Sequence, residues 1–233
     1  MASSLPFPRV VPRRPTPQPL ASVSLTAPQR ATVHMLASLL LDYPDDVLLG
    51  RVPMLRVHLA GLPTAVSSAL AAFLDEIEQS DAAALRRRYV ETFDLKRKCA
   101  LYLTYYASGD TRRRGAALVS FVEAYRAAGW EFDAEELPDY IPAVLEFSAV
   151  SGSRIAGDLL ASHREGIEVL RHALEEQQSP WAHVIRAVTL SLSPIDERTR
   201  ERYLRLVHEG PPAETVGLSF PGGLAPFALQ EAR

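Results

Sequence analysis

Apolar residues recur along this chain at three- and four-residue intervals, and breakers fall between the runs. Val33, Leu36, Leu40 and Tyr43 share one helical face, and Pro44 closes it. A second helix over residues 45–60 is expected to kink at Pro53. Pro63 opens a third, with Val66, Leu70, Phe73, Leu74 and Ile77 inward; Ser80 or Asp81 caps a fourth, with Leu85, Tyr89 and Phe93 inward. Asp110 is a suitable N-cap for the next, which buries Leu118, Phe121, Val122 and Tyr125 and ends at Gly129. Pro138 is placed to open a helix reaching Val150, distorted by Pro142. A long helix over 153–177 turns Ile155, Leu159, Ile167, Leu170 and Leu174 inward. Ser179 and Pro180 restart the chain, burying Trp181, Val184, Ile185 and Val188, and Asp196 caps a last helix carrying Tyr203, Leu204 and Val207.

Residues 94–109 have no clear period. The run Leu101 to Tyr106 has strand propensity, but no partner strand is evident elsewhere, so helical continuation is expected. The pattern predicts an all-α, single-domain helical bundle of about nine helices without a sheet. No repeat period argues for a solenoid.

Seven of the eighteen prolines, and no acid, lie in residues 1–28. That density of fixed φ angles and missing donors marks a disordered tail. The helical domain is expected over 29–210, and the Gly/Pro-rich stretch 211–233 as a loose C-terminal tail.

Composition narrows the classes. A formal charge of −3 argues against bulk nucleic-acid binding. Cys99 is the only cysteine, so neither an intramolecular disulfide nor a thiolate cage is available. No apolar run is long enough to span a bilayer. Arg13 and Arg14 resemble a twin-arginine export signal but lack its apolar region, and a cytoplasmic location is expected.

Enzyme signatures are sparse. The stretch from Gly152 to Gly157 has phosphate-loop glycine spacing, but Asp158 stands where a lysine is needed. The six histidines show neither an i, i+4 pair nor a Glu-x-x-His pattern, and no stoichiometric metal or cofactor is expected. Cys99 follows Lys96, Arg97 and Lys98, cations suited to lowering a thiol pKa, but no base is evident beside it.

The informative stretch is 89–147. Nine Lys and Arg lie between Arg86 and Arg114, against Glu91, Asp94 and Asp110. Six acids and no cation lie between Glu131 and Glu146, and three tyrosines occupy five positions from Tyr102 to Tyr106. Three aromatics so spaced cannot share one helical stripe, so at least one is expected at a surface or groove. A charge dipole around aromatics is how a surface selects a protein partner.

These residues carry a resemblance. Residues 89–99 read Tyr-x-x-Thr-Phe-Asp-Leu-x-x-x-Cys, and 101–115 read Leu-Tyr-Leu-Thr-Tyr-Tyr-x-x-Gly-Asp-Thr-Arg-x-Arg-Gly. Residues 136–147 read Glu-Leu-Pro-Asp-Tyr-Ile-Pro-x-Val-Leu-Glu-Phe. In that order and spacing they closely resemble the NarJ family, assembly chaperones of respiratory nitrate reductase within the wider group of dedicated molybdoenzyme chaperones. The resemblance covers most of 30–215.

It implies an all-helical fold, no catalysis, and binding of the nitrate reductase catalytic (alpha) subunit before molybdenum cofactor insertion. The target is that subunit's N-terminal segment, held as a helix in an apolar groove. Transient contact with the molybdenum cofactor machinery is compatible with this role, and another molybdoenzyme client is the alternative. The expected partner-binding residues are Tyr102, Leu103, Tyr105, Tyr106, Pro138, Asp139, Pro142, Leu145, Glu146 and Phe147. The tyrosines form one wall, the helix after Pro138 the other, and Asp139 and Glu146 the charged rim. In the wider family His commonly follows the Pro-Asp pair; Tyr140 stands there here, so no imidazole role carries over.

Overall fold

A computed structural model describes residues 19–109, 111–133 and 135–193. Among these residues the chain is all-α, with ten α-helices and no strand: α1 Ala27–Leu40, α2 Asp46–Val57, α3 Thr64–Gln79, α4 Ala82–Phe93, α5 Leu103–Ser108, α6 Arg113–Ala127, α7 Ile141–Ser151, α8 Arg154–Ser162, α9 Arg164–Glu176 and α10 Trp181–Ser191.

Local chemistry sets several of the ends. Thr26 and Gln29 form a capping box on α1, satisfying two otherwise orphaned donors. The carboxylates of Asp45 and Asp81 accept Leu48 N at 2.7 Å and Ala84 N at 2.9 Å, capping α2 and α4. Pro53 lies inside α2, which runs on to Val57 before a 3-10 turn, His58–Gly61. Gly152 (φ 59°) ends α7 in the left-handed region, and Ser153 caps α8 through Ile155 N. The phosphate-loop lookalike is thus a helix stop followed by a helix start.

The core is built around α10, whose Trp181, Val184, Ile185, Ala187 and Val188 are fully buried among α1, α3 and α9. Trp181 packs with Tyr89 and Phe93, both at 5.3 Å between ring centroids, and with Phe73 at 6.0 Å. Edge-on arrangements of this kind add to plain area burial. Helix α1 lies between α10 and α7. Gly166 of α9 allows α5 to approach: a Cβ there would sit 2.8 Å from Tyr106 Cβ.

Several expectations are corrected. Residues 19–26, assigned above to a disordered tail, lie extended against the body. Val23 N donates to Leu190 O at 2.8 Å, and Leu20 N to Glu168 Oε1 at 2.9 Å. Arg164 donates to Leu20 O at 2.7 Å and Ser22 Oγ at 2.8 Å. The proline-dense stretch ends at Pro19, and Leu20, Val23 and Leu25 then reach the core. Residues 1–18 lie outside the described residues, as do Asp110, the helix expected from Asp196 and the tail expected over 211–233.

The helix expected over 153–177 breaks at His163, which ends α8 and begins α9. Just past the break, the buried Arg164 guanidinium holds the 20–22 strap and the Leu192 carbonyl, at 2.9 Å, together. No period reports such a requirement.

Residues 94–102 are not helical throughout. After a 3-10 turn at Arg97–Cys99, Tyr102 is extended and makes an isolated antiparallel bridge with Tyr140. Leu103 N donates to Asp139 O at 3.0 Å and Ile141 N to Leu101 O at 2.8 Å. The missing partner for this short extended segment is therefore a single residue pair, supplied from beyond α6. The same bridge delays α7, so Pro142 stands in its first turn and Pro138 three residues ahead of it.

Candidate functional site

The three recognisable motifs meet around the Tyr102–Tyr140 bridge, and Asp139 is its hub. Its side chain is fully buried rather than at a rim. Asp139 Oδ2 accepts Thr104 N at 3.0 Å and Thr104 Oγ1 at 2.6 Å, taking the role of an N-cap for α5 from a distant part of the chain. Arg114 of α6 approaches the same oxygen at 3.9 Å and donates from Nε to Thr104 Oγ1 at 3.2 Å. A buried carboxylate needs such donors and a nearby cation to remain inside. The expectation that Asp139 stands at the groove rim is corrected, because its carboxylate is buried.

The tyrosines divide. Tyr106 is 1% exposed and Tyr105 9%, so neither offers an open groove wall. The Tyr106 hydroxyl donates to Ala100 O at 2.8 Å, and burial pushes its pKa well up. Leu103, Leu145, Phe147 and Pro142 are also buried; the Pro142 carbonyl accepts Ser38 Oγ at 2.8 Å, which ties α7 to α1. Helix periodicity gives a side chain's direction only once the helix start is known, and α5 begins at Leu103 because Asp139 caps it there.

Tyr102, Pro138 and Glu146 keep part or all of their surface. The Tyr102 hydroxyl donates to Glu136 Oε2 at 2.8 Å, and the Arg114 guanidinium lies 5.3 Å from its ring centroid. Burial and Glu136 both raise its pKa. Tyr140 packs against Tyr102 at 5.6 Å between ring centroids, and burial above all pushes Tyr140 up to about 12. Both phenols therefore stay neutral hydrogen-bonding groups near neutral pH. Tyr140 is a packing and hydrogen-bonding residue where an imidazole would titrate.

Residues not singled out by the pattern complete the surface. Trp130 is 42% exposed and packs on Phe147 at 6.3 Å, and Leu137 is 40% exposed. Tyr125 joins them, with its ring 4.5 Å from Phe147 and its hydroxyl donating to Pro138 O at 3.1 Å. Glu131, Asp133, Glu135, Glu136 and Glu146 in the same stretch are exposed; Glu136 meets the Tyr102 hydroxyl and Glu146 acts on Tyr125. The signal for Trp130 was present: a tryptophan directly after the helix-ending Gly129 (φ 79°) has no helical stripe to join.

The enzymatic alternative loses its footing at Cys99. The thiol is fully buried, receives a hydrogen bond from Gln177 Nε2 at 2.9 Å, and is pushed up in pKa by burial despite Lys96 and Lys98. Two cations of the basic half are held by acids: Arg86 meets Asp46 at 2.6 Å and Arg88 meets Glu76 at 2.8 Å. Among the described residues no helix is long and apolar enough to cross a membrane.

Comparison with known proteins agrees with this architecture. NarX of Mycobacterium tuberculosis H37Rv, a nitrate reductase-like protein, is 38% identical over 67% of this chain, which spans about a quarter (24%) of NarX. The nitrate reductase molybdenum cofactor assembly chaperone NarJ of Escherichia coli K12 is 29% identical over 64% of each chain. A NarJ of Bacillus subtilis is 29% identical over 69% of this chain and 88% of its own. A candidate redox enzyme maturation protein from Archaeoglobus fulgidus shares the fold, with a TM-score of 0.52, 24% identity, and coverage of 72% of this chain and 96% of that one. The family model described as nitrate reductase delta subunit matches residues 59–187, more than half of the sequence and all of the 89–147 stretch. The chain belongs to the nitrate reductase delta subunit family.

Proposed function

We propose that this chain is a dedicated assembly chaperone, not an enzyme, whose client is the apo catalytic subunit of a respiratory nitrate reductase. It holds that subunit competent for molybdenum cofactor insertion, ahead of membrane attachment, by binding its N-terminal segment. The supporting observations are the partly exposed Trp130, Leu137 and Tyr102–Tyr140 pair, the buried Asp139 that caps α5 beside that pair, and five exposed carboxylates between residues 131 and 146. Aromatics backed by rigid packing are effective anchors for an amphipathic helix, and acids around them favour Lys and Arg on its flanks. Relative to the ten residues expected from sequence, the proposed contact set keeps Tyr102, Pro138 and Glu146. It adds Trp130, Leu137 and Tyr140, and treats Leu103, Tyr105, Tyr106, Asp139, Pro142, Leu145 and Phe147 as the support beneath.

The test is co-purification of the tagged full chain from nitrate-respiring cells. The large nitrate reductase subunit should be retained by the wild type and lost with Trp130→Ala plus Tyr102→Ala. Retention of a different molybdoenzyme's large subunit instead would transfer the same role to another client. Retention unaffected by the double substitution would remove this face from the reading.

A further inference from the structure

A second surface, on the α1–α2 side, is unlike the aromatic face in both shape and charge. An apolar groove of about 400 Å³ lies between the two helices, with Met35 and Leu39 on one wall, Met54 and Leu55 on the other, and Ala149 of α7 at its edge. Its surroundings are open: Met54 is 50% exposed and Val57 72%. On α1 the lining runs from Ala31 to Leu39, nine residues spanning about 12 Å of helix, or two turns of a partner. Methionine on both walls suits a guest that must be accommodated by flexible, polarisable side chains.

The charge carried by the two groove helices is mainly positive. Helix α1 carries Arg30 and no acid. Helix α2 carries Arg51, one turn before Met54, and its one acid, Asp46, is already paired with Arg86 at 2.6 Å. Arg56 is taken by Asp75 and Glu78, at 2.8 and 2.7 Å. Arg30 lines an adjoining polar cavity of about 290 Å³, which shares Ala31 and Ala149 with the groove and also takes in Arg154, with Asp158 4.0 Å from Arg154. Glu146, the acid of α7, exerts its field on Tyr125, on the aromatic side.

We propose that this groove seats an acidic amphipathic helix of a partner protein. Aliphatic side chains one turn apart would enter between Met35 and Met54, and carboxylates on its flanks would meet Arg30 and Arg51. Helix-in-groove recognition takes affinity from apolar anchors and orientation from flanking charge. The aromatic face, rimmed by acids, selects the opposite sign, so the chain presents two docking surfaces that reject each other's guests.

The test uses the full chain and two labelled 14-residue helical peptides with the same leucine stripe, one flanked by Glu and one by Lys. Fluorescence anisotropy should show the Glu peptide binding about tenfold or more tighter than the Lys peptide. Met54→Asp should weaken the Glu peptide by about tenfold, and Arg51→Glu should shrink the Glu/Lys preference by about threefold or more. Both substitutions fall on exposed side chains, and circular dichroism checks folding; if Met54→Asp unfolds, Met54→Gln replaces it with the same expected direction. Equal binding of the two peptides, or indifference to the Met54 substitutions, overturns the proposal. So does displacement of the Glu peptide by a synthetic peptide of residues 196–208, which would assign the groove to this chain's own segment. Self-association of the wild type that is abolished by Met54→Asp would assign it to a second copy, with the same consequence.

Discussion

Helix α10 and the loop between α6 and α7 are both rich in large apolar residues, yet they put them to opposite uses. In α10, Trp181, Val184, Ile185 and Val188 are fully buried, and the aromatic rings about Trp181 come from α3 and α4. In the loop, Trp130 and Leu137 keep about two fifths of their surface in water, although Trp130 packs on Phe147 and Tyr125 lies close by. Helix α10 buries most of its surface against α1, α3 and α9, leaving Arg186 exposed. The loop has packing beneath it and none above among the described residues. One tryptophan is sealed in the core, and the other keeps an exposed face.

The comparison is broken most severely at Trp181. Trp181→Ala should cost about 3–5 kcal/mol in denaturant unfolding, the range for emptying a large aromatic site. A loss below about 1 kcal/mol would show that α10 is not the centre of the core.

Next in size is a pH effect confined to the core side. His34 is fully buried, with Nδ1 2.9 Å from Ser148 Oγ and Nε2 2.9 Å from Ser191 Oγ. Ser191 commits its proton to Val188 O at 2.6 Å, so Nε2 donates to Ser191 and Nδ1 accepts from Ser148. Burial first, and then Arg30, lowers this histidine from 6.5 to about 4. The depressed folded value means that the unfolded chain binds the proton more readily. Stability is therefore complete above about pH 6.5 and falls on acidification, by about 3 kcal/mol at pH 4 from this group. His34→Gln should flatten that part of a stability–pH curve; an unchanged slope would refute the assignment.

Asp139 joins the two regions. Asp139→Asn keeps the shape but removes the charge facing Arg114, and it should destabilise by about 1–3 kcal/mol while also weakening client binding. Thermal melts together with peptide titration check both, and loss of neither would detach the aromatic face from its support.

Smaller in stability, Trp130→Ala should change unfolding by no more than about 0.5 kcal/mol but cost about 1–3 kcal/mol of client-peptide affinity. Reversed proportions would make Trp130 a core residue. The least effect belongs to Glu146→Lys, which should weaken the peptide only at low salt, since exposed rim charges are screened. An equal loss at high salt would point to a direct packed contact.

The helical fold class, a cap for α4 at Ser80 or Asp81, and the inward stripes of α3 and α4 were legible in the residues, because each depends on neighbours within one or two turns. The family was legible too, since it rests on ordered motifs. Trp181 was legible as buried, although nothing local named Tyr89, Phe93 and Phe73 as its partners. What only the tertiary structure decided were the pairings across long separations. Asp139 caps a helix that begins 36 residues before it, at Leu103. Arg164 binds a strap more than 140 residues away, turning part of an expected tail into body. Those two pairings determined which tyrosines face inward and where the 153–177 helix breaks. A local pattern records how often a side chain returns to one face; what stands opposite that face is settled only when distant segments compete to satisfy buried charge and backbone donors.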